Sequence, residues 1–275
     1  MQRVKAYALA VSLAFATTSA WALLIAPIPS APAEPCPDVE VVFARGTDDA
    51  PGLGEVGESF VDSLRTRVGT KSVGTYSVNY PASMDFPRAV DGITDAGTHV
   101  EQMAMSCPKT QMVLGGYSQG AAVMGFVTAS QVPSGTSLGQ DLQPMPADVT
   151  NHVAAVVLFG TPSTQFMKFI NQPAVTVGPL YAAKAIQLCA PNDPICGGSG
   201  DFAAHRRYEQ AGMIDQAADF AANRIAEATP PTPAPNPSPA PTRGPAPVRS
   251  TGPSPSPTPA PVVSHQPGPP PGPVA

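Results

Sequence analysis

The stretch Leu114-Gly115-Gly116-Tyr117-Ser118-Gln119-Gly120-Ala121-Ala122 joins an apolar run, a serine between two glycines and an alanine-rich segment. Glycines two positions before and after Ser118 let a strand and a helix approach each other without a Cβ clash. The flanking residues are typical of a buried strand (111–114) and of a packed helix (121–124). We therefore predict a nucleophile elbow, a sharp strand-to-helix turn that presents the Ser118 hydroxyl. A tight turn without chemistry is the alternative.

Strand-like and helix-like segments alternate around this turn. The strand-like segments are residues 39–44, 74–80, 111–114, 153–159 and 183–188. The helix-like segments begin near residues 54, 85, 119 and 207, and the last is predicted to bury Tyr208, Ala211, Ile214, Ala218, Ala221 and Ile225 on one face. Residues 153–159 are almost wholly apolar, as in the centre of a parallel sheet. We predict an α/β fold, a three-layer α/β/α sandwich around a mostly parallel five-stranded sheet.

Both ends of the chain differ in composition from this region. Residues 1–33 carry Arg3 and Lys5 before an apolar run, which predicts an export signal peptide, with a retained membrane anchor as the alternative. Residues 229–275 hold 19 of the 36 prolines and no acidic residue, so we expect an extended tail outside the folded domain at 34–228. The protein is therefore expected to be secreted or attached to the cell surface or cell wall, through its termini.

Charge and cysteine content narrow the function classes. A net charge of −5 and 13% charged residues give no basic patch, which argues against nucleic acid as a partner. Four cysteines in an exported protein favour two disulfides over a zinc site. Of the three connectivities we favour Cys36–Cys107 and Cys189–Cys196, because the first pair precedes two apolar strands and the second closes a short loop.

A serine nucleophile needs a histidine to take its proton and a carboxylate to hold that histidine. In α/β-hydrolases the acid and then the histidine follow the serine along the chain. His99 precedes Ser118, His152 precedes the last strand, and His265 lies in the tail, so His205 is the candidate base. The four carboxylates between Ser118 and His205 are Asp141, Asp148, Asp193 and Asp201.

Asp193 is the favoured acid because it follows the last strand inside the Cys189–Cys196 loop. Asp201 is the alternative acid, and its structural role would be to cap a short helix that holds His205. An oxyanion hole needs two donors. We assign them to the backbone N–H of Gln119 and to Thr47, which follows the first strand.

These pieces together resemble the cutinase family of serine esterases. The matching pieces are residues 43–47 (FARGT), residues 115–121 (GGYSQGA), Cys189-x3-Asp193-x2-Cys196 and His205, in the order and spacing of the family. The resemblance implies the Ser118–Asp193–His205 triad, the Thr47–Gln119 hole, the favoured disulfides, ester substrates, and no metal or organic cofactor. Many cutinases have serine where Thr47 stands, so the added methyl puts the rotamer of this hydroxyl in question.

The expected activity is that of a secreted carboxylester hydrolase, a monomer that acts on lipid-like or polyester esters, also at interfaces. Candidate walls of the acyl groove are Met84, Phe86, Val175, Val177, Leu180 and Phe202. A phospholipase, a thioesterase or an acyl transferase on the same triad is the alternative, and a surface protein without catalysis is a third hypothesis.

Overall fold

Five parallel strands form the centre of the computed structural model, which describes residues 35–131 and 143–228. The strands are β1 (Val39–Ala44), β2 (Val73–Ser77), β3 (Gln111–Tyr117), β4 (Val153–Phe159) and β5 (Ala185–Leu188). Their order across the sheet is β2-β1-β3-β4-β5, with every neighbouring pair parallel. The predicted α/β class and five-stranded sheet are thereby confirmed.

Helices cover both faces of this sheet. They are α1 (Gly54–Arg67), α2 (Ala89–Ser106), α3 (Gln119–Val127), α4 (Thr164–Phe169), α5 (Pro179–Ala182), α6 (Pro194–Gly197) and α7 (Met213–Glu227), with short 3-10 turns at Phe86–Arg88, Ala147–His152 and Ala204–Arg206. Alternate residues of the central strands enter two separate cores. One core packs against α2 and α3, and the other packs against α1 and α7.

The second strand ends earlier than its sequence predicts. β2 ends at Ser77 although residues 78–80 continue the pattern, because β1 ends one residue beyond the Phe43–Ser77 pair. Beyond that point the buried Arg45 guanidinium donates to the backbone oxygens of Val78 (3.4 Å) and Tyr80 (2.7 Å). These carbonyls are therefore satisfied without a neighbouring strand.

The prediction for the closing helix was wrong at its start. α7 begins at Met213 rather than near residue 207, after Gly212, whose φ of 70° lies in the left-handed region. Ala211, which was expected on the buried face, is exposed. Tyr208 is fully buried, but in the turn before the helix.

The described part of the chain contains two disulfides, Cys36–Cys107 and Cys189–Cys196. This is the predicted pairing. The first joins the segment before β1 to the end of α2. The predicted signal peptide (1–33), the proline-rich tail (229–275) and most of the polar loop after α3 lie outside the described residues. Within residues 35–131 and 143–228, no helix is both long and apolar enough to cross a membrane.

Candidate active site

The turn at Ser118 has a backbone geometry that suits the predicted nucleophile elbow. Ser118 stands between β3 and α3 with φ 55° and ψ −115°, a conformation that a non-glycine residue adopts only at a strained turn. Its backbone N–H donates to the oxygen of Phe159 on the neighbouring strand at 2.8 Å. The turn is thus anchored at the carboxyl edge of the sheet.

Gly120 makes the elbow sterically feasible. A Cβ at this position would lie 1.9 Å from the backbone oxygen of Ala44 and 2.5 Å from that of Arg45. Since ordinary contacts begin near 3.4 Å, only glycine lets α3 start this close to β1.

Ser118, His205 and Asp193 form one chain of hydrogen bonds. His205 Nε2 lies 2.8 Å from Ser118 Oγ, and His205 Nδ1 lies 2.7 Å from Asp193 Oδ2. Because an ionised carboxylate only accepts, Nδ1 carries the proton and Nε2 is left to accept from the serine hydroxyl. This arrangement can move the serine proton to the imidazole.

Two tyrosines hold the candidate base and acid in place. The Tyr117 ring stacks on the His205 ring at 5.1 Å between centroids, and its hydroxyl donates to the His205 backbone oxygen at 2.6 Å. The Tyr208 hydroxyl donates to Asp193 Oδ2 at 2.6 Å. The sequence analysis did not identify these roles, although Tyr208 follows His205 by three residues.

Asp193 is fully buried, and its carboxylate lies within hydrogen-bond distance of His205. Burial by itself raises the pKa of this carboxyl. Hydrogen bonds from His205 and Tyr208, the charge of His205 and the backbone N–H of Ile195 outweigh that effect and hold the pKa below its ordinary value of 3.8. The alternative acid, Asp201, is exposed and accepts from the backbone N–H of Ala203 at 2.9 Å. This bond closes a local turn, and the 3-10 turn that holds His205 has Ala203 at its N-cap without a side-chain cap, so Asp201 does not have the N-cap role considered for it.

The proposed oxyanion donors flank Ser118. Gln119 is the first residue of α3, where backbone N–H groups have no partner within the helix. Thr47 follows β1 and lines the same two cavities as Ser118. The Gln119 side chain donates to the Ser83 oxygen at 3.0 Å, which ties the start of α3 to the loop that carries Met84.

An apolar cavity of about 300 Å³ opens on one side of Ser118 and His205. Three predicted groove residues, Met84, Phe86 and Phe202, line it. The other three do not. Val175 packs over Gly125, Val177 packs against the core under α3, and Leu180 lies largely exposed on α5.

The sequence analysis missed the opposite wall of this cavity. That wall includes Phe166, Met167 and Ile170, in and just after α4, together with Phe126 of α3. The apolar residues of the segment 166–170 recur at helical spacing, which was the available signal. The segment is short, however, and only the fold brings it opposite Met84.

A second, more polar cavity of about 390 Å³ also meets Ser118 and His205. Its charged and polar lining comprises Asp48, Asp49, Glu55, Ser59, Arg206 and Glu209. The two cavities share Asp48 and Arg206, and they differ in the rest of their lining, which is mainly apolar in the first and acidic in the second.

The residues with metal-ligand chemistry do not favour zinc. In the described part of the chain, Cys189, Asp193 and Cys196 form the one group of ligand-type side chains close enough to share an ion. The two sulfurs are bonded to each other, so neither is a thiolate, and both Asp193 oxygens accept hydrogen bonds.

Comparison with known proteins gives a consistent family. The model of the Cutinase family matches residues 35–225. Probable carboxylesterase Culp5 of Mycobacterium tuberculosis is 57% identical over 172 residues, which cover 62% of this chain and 98% of the relative. Phospholipase Culp4 of the same organism is 49% identical over 215 residues, 78% of this chain and 91% of the relative. Among solved structures, Trichoderma reesei cutinase in complex with a phosphonate inhibitor is 35% identical with a TM-score of 0.52, covering 70% of this chain and 78% of that one.

Proposed function

This chain belongs to the cutinase family and is a carboxylic ester hydrolase, and from that premise we propose that it cleaves lipid-like or polyester esters through an acyl-enzyme on Ser118. The observation that carries the proposal is the continuous hydrogen-bond chain from Ser118 Oγ through His205 to Asp193, with distances of 2.8 and 2.7 Å. A serine, a histidine and a buried carboxylate in this geometry are sufficient for acyl transfer to the serine.

In the proposed mechanism, Ser118 Oγ attacks the ester carbonyl carbon while its proton passes to His205 Nε2. The carbonyl oxygen becomes an oxyanion that the Gln119 N–H and Thr47 stabilise. The tetrahedral intermediate then expels the alcohol, which takes the proton from His205. Water repeats the sequence on the acyl-enzyme, giving the acid and free Ser118. Asp193 stays ionised throughout and holds the tautomer of His205.

The polarity of the two cavities suggests how the ester lies across Ser118. We assign the acyl chain to the cavity lined by Met84, Phe86, Phe166 and Phe202, because burial of methylene groups there is favourable. The leaving alcohol would then occupy the polar cavity, where four carboxylates face the single guanidinium of Arg206. This surplus of negative charge favours neutral, hydroxyl-bearing alcohols over anionic ones.

We further propose that the protein is exported and acts as a monomer. The predicted signal peptide and the proline-rich tail would place the catalytic domain at residues 34–228 outside the cell, with the tail as a spacer or wall contact. Met84 (65% exposed) and Phe202 (67% exposed) stand at the cavity rim and support action on esters at an interface.

Phospholipid hydrolysis is the second candidate activity. It is favoured by the 49% identity to a protein named as a phospholipase. It uses the same acyl-enzyme, and so would acyl transfer to an alcohol or cleavage of a thioester. The hypothesis of a non-catalytic surface protein is disfavoured, because the hydrogen-bond chain at Ser118 is intact.

The proposal is tested by hydrolysis of a chain-length series of p-nitrophenyl esters, run beside phospholipid and cutin. Ser118→Ala and Asp193→Asn are expected to lose at least about 1000-fold in kcat. Asp201→Asn is the matched control, since it changes an exposed acid eight residues after Asp193 whose carboxylate does not bond to His205, and it should keep activity within about threefold. Full activity of Asp193→Asn together with loss in Asp201→Asn would reassign the acid.

A further inference from the structure

Tyr208 contacts the candidate acid directly, at the same carboxylate oxygen that bonds to His205. Resting on the function proposed above, we propose that Tyr208 is a positioning residue for catalysis, which fixes and keeps ionised the Asp193 carboxylate that orients His205. Nothing in the ester chemistry itself requires this group.

Asp193 Oδ2 accepts two hydrogen bonds at once. The Tyr208 hydroxyl lies 2.6 Å from this oxygen and His205 Nδ1 lies 2.7 Å from it. The other oxygen, Oδ1, accepts from the Ile195 backbone N–H at 2.9 Å. With three donors on two oxygens, the carboxylate cannot rotate without breaking a charge-assisted bond.

The environment of Tyr208 makes its hydroxyl a dedicated donor. The side chain is fully buried, and burial followed by the contact with Asp193 raises the pKa of Tyr208 above its ordinary value. The hydroxyl oxygen is approached by the Ala190 backbone N–H at 3.4 Å, so its lone pairs face a donor. Its proton is thereby directed at Asp193.

Aromatic packing fixes the Tyr208 ring. It meets Phe159 edge-on at 5.9 Å and Tyr117 edge-on at 5.7 Å between centroids. Gly160, at φ 62°, provides the space, because a Cβ there would lie 2.7 Å from the Tyr208 hydroxyl and 2.9 Å from His205 Cε1. The absence of a side chain just after β4 therefore leaves room for both Tyr208 and His205.

The bond has an expected effect on the pH profile. The titratable groups that face Asp193 are His205 and Tyr208 from the segment before α7 and Tyr117 from β3. Among them Tyr208 supplies a neutral hydrogen bond that stabilises the anion. Without that bond the Asp193 anion is less stabilised and binds a proton more readily, so the acid limb of kcat/KM moves to higher pH.

The test compares Tyr208→Phe with Tyr76→Phe in the full chain. Tyr76 donates to Asp95 at 3.0 Å on the far side of the sheet, so its variant also removes a tyrosine-to-carboxylate bond but leaves the site intact. For Tyr208→Phe we expect kcat to fall about 10-fold at unchanged KM, and the acid limb to rise by about one pH unit, as the loss of one hydrogen bond to a charged group implies. Tyr76→Phe should change neither.

A second measurement covers failure of Tyr208→Phe to fold. 3-Fluorotyrosine placed at position 208 keeps the shape of the ring and strengthens the donor, so it should move the acid limb to lower pH. The proposal would be overturned if Tyr208→Phe and the 3-fluorotyrosine variant both had the kcat and the acid limb of the parent. A lowered melting temperature with unchanged kcat and pH profile would likewise overturn it, because it would indicate a purely structural role. The parent protein must itself hydrolyse p-nitrophenyl esters through Ser118, which separates failure here from failure of the proposed function.

Discussion

Replacing Gly120 by alanine tests whether the elbow depends on the close approach of α3 to β1. The added Cβ would meet the Ala44 oxygen at 1.9 Å, its carbonyl carbon at 2.4 Å and the Arg45 oxygen at 2.5 Å. These are backbone atoms at and just after the end of β1, and they cannot turn away as the end of a side chain could. To restore an ordinary 3.4 Å contact, the start of the helix must move by about 1.5 Å, the difference between 3.4 and 1.9 Å.

The magnitude follows from overpacking. Inserting a methyl into a close-packed core costs about 1 to 3 kcal/mol, and a backbone clash lies at the upper end. In a domain of this size, about 3 kcal/mol lowers the melting temperature by about 6–12 °C. The same movement displaces the Gln119 N–H, the proposed oxyanion donor, so we expect kcat to fall about 100-fold.

Gly97→Ala is the matched control. Gly97 lies inside α2, and a Cβ there would meet no atom within 4 Å. Alanine favours the helix by up to about 1 kcal/mol, so this variant should melt about 2–4 °C higher than the parent with unchanged activity.

Thermal unfolding by circular dichroism and p-nitrophenyl ester kinetics, both at neutral pH, measure the two effects. The reasoning would be refuted if Gly120→Ala retained both the parental melting temperature and the parental kcat. A stable but inactive variant would place the effect on the oxyanion donor alone.

Three further predictions concern the disulfides, the cavity and acid stability. Replacing both cysteines of Cys36–Cys107 by serine should lower the free energy of unfolding by about 4.5 kcal/mol, and the same change at Cys189–Cys196, which closes a shorter loop, should lower it by about 2.5 kcal/mol. The kcat should fall more in the second variant, because the Cys189–Cys196 loop holds Asp193. Denaturant titration and ester kinetics measure the two effects. Phe166→Ala should raise KM about 10-fold more for long acyl esters than for acetate esters. Equal increases in KM for both would show that Phe166 does not contact the acyl chain. Because the pKa of Asp193 in the folded protein lies below 3.8, the ionised carboxylate stabilises the fold at pH values above its unfolded pKa, and this stabilisation is lost as the pH falls through the folded pKa. Acid unfolding of Asp193→Asn should therefore lack this pH-dependent loss of stability.

Much of the fold could be predicted because its strands are short apolar runs with clear ends. β1 and β4 begin and end where the sequence indicates, since all of their residues are buried and each run is bounded by polar or turn-forming residues. The end of β2 could not be predicted, because it depends on Arg45, which follows β1 and whose side chain donates to the carbonyls that would continue the sheet.

The start of α7 was misplaced for a related reason. Tyr208 has the spacing of a helix face, but it is buried by its bond to Asp193 and precedes the helix. Periodicity placed Tyr208 and Ala211 on one buried helix face, but Ala211 is exposed, and Tyr208 is buried by contacts that the pattern does not show.

The candidate site was also predicted only in part. Ser118, Asp193 and His205 were identified from chain order and chemistry, and the structure brings them within hydrogen-bond distance. The apolar cavity was only half identified, because its second wall comes from a short helix whose position is set by the loop after β4.

The central claim is that Ser118 is the acyl-accepting nucleophile, activated through His205. Reaction of the full chain with a fluorophosphonate probe, followed by peptide mass spectrometry, tests it directly, with His205→Ala as the variant that removes the base. We predict one adduct on Ser118 in the parent and labelling slowed by at least about 1000-fold in His205→Ala. An unlabelled, folded and unaltered parent protein, or an adduct on another residue, would contradict the claim.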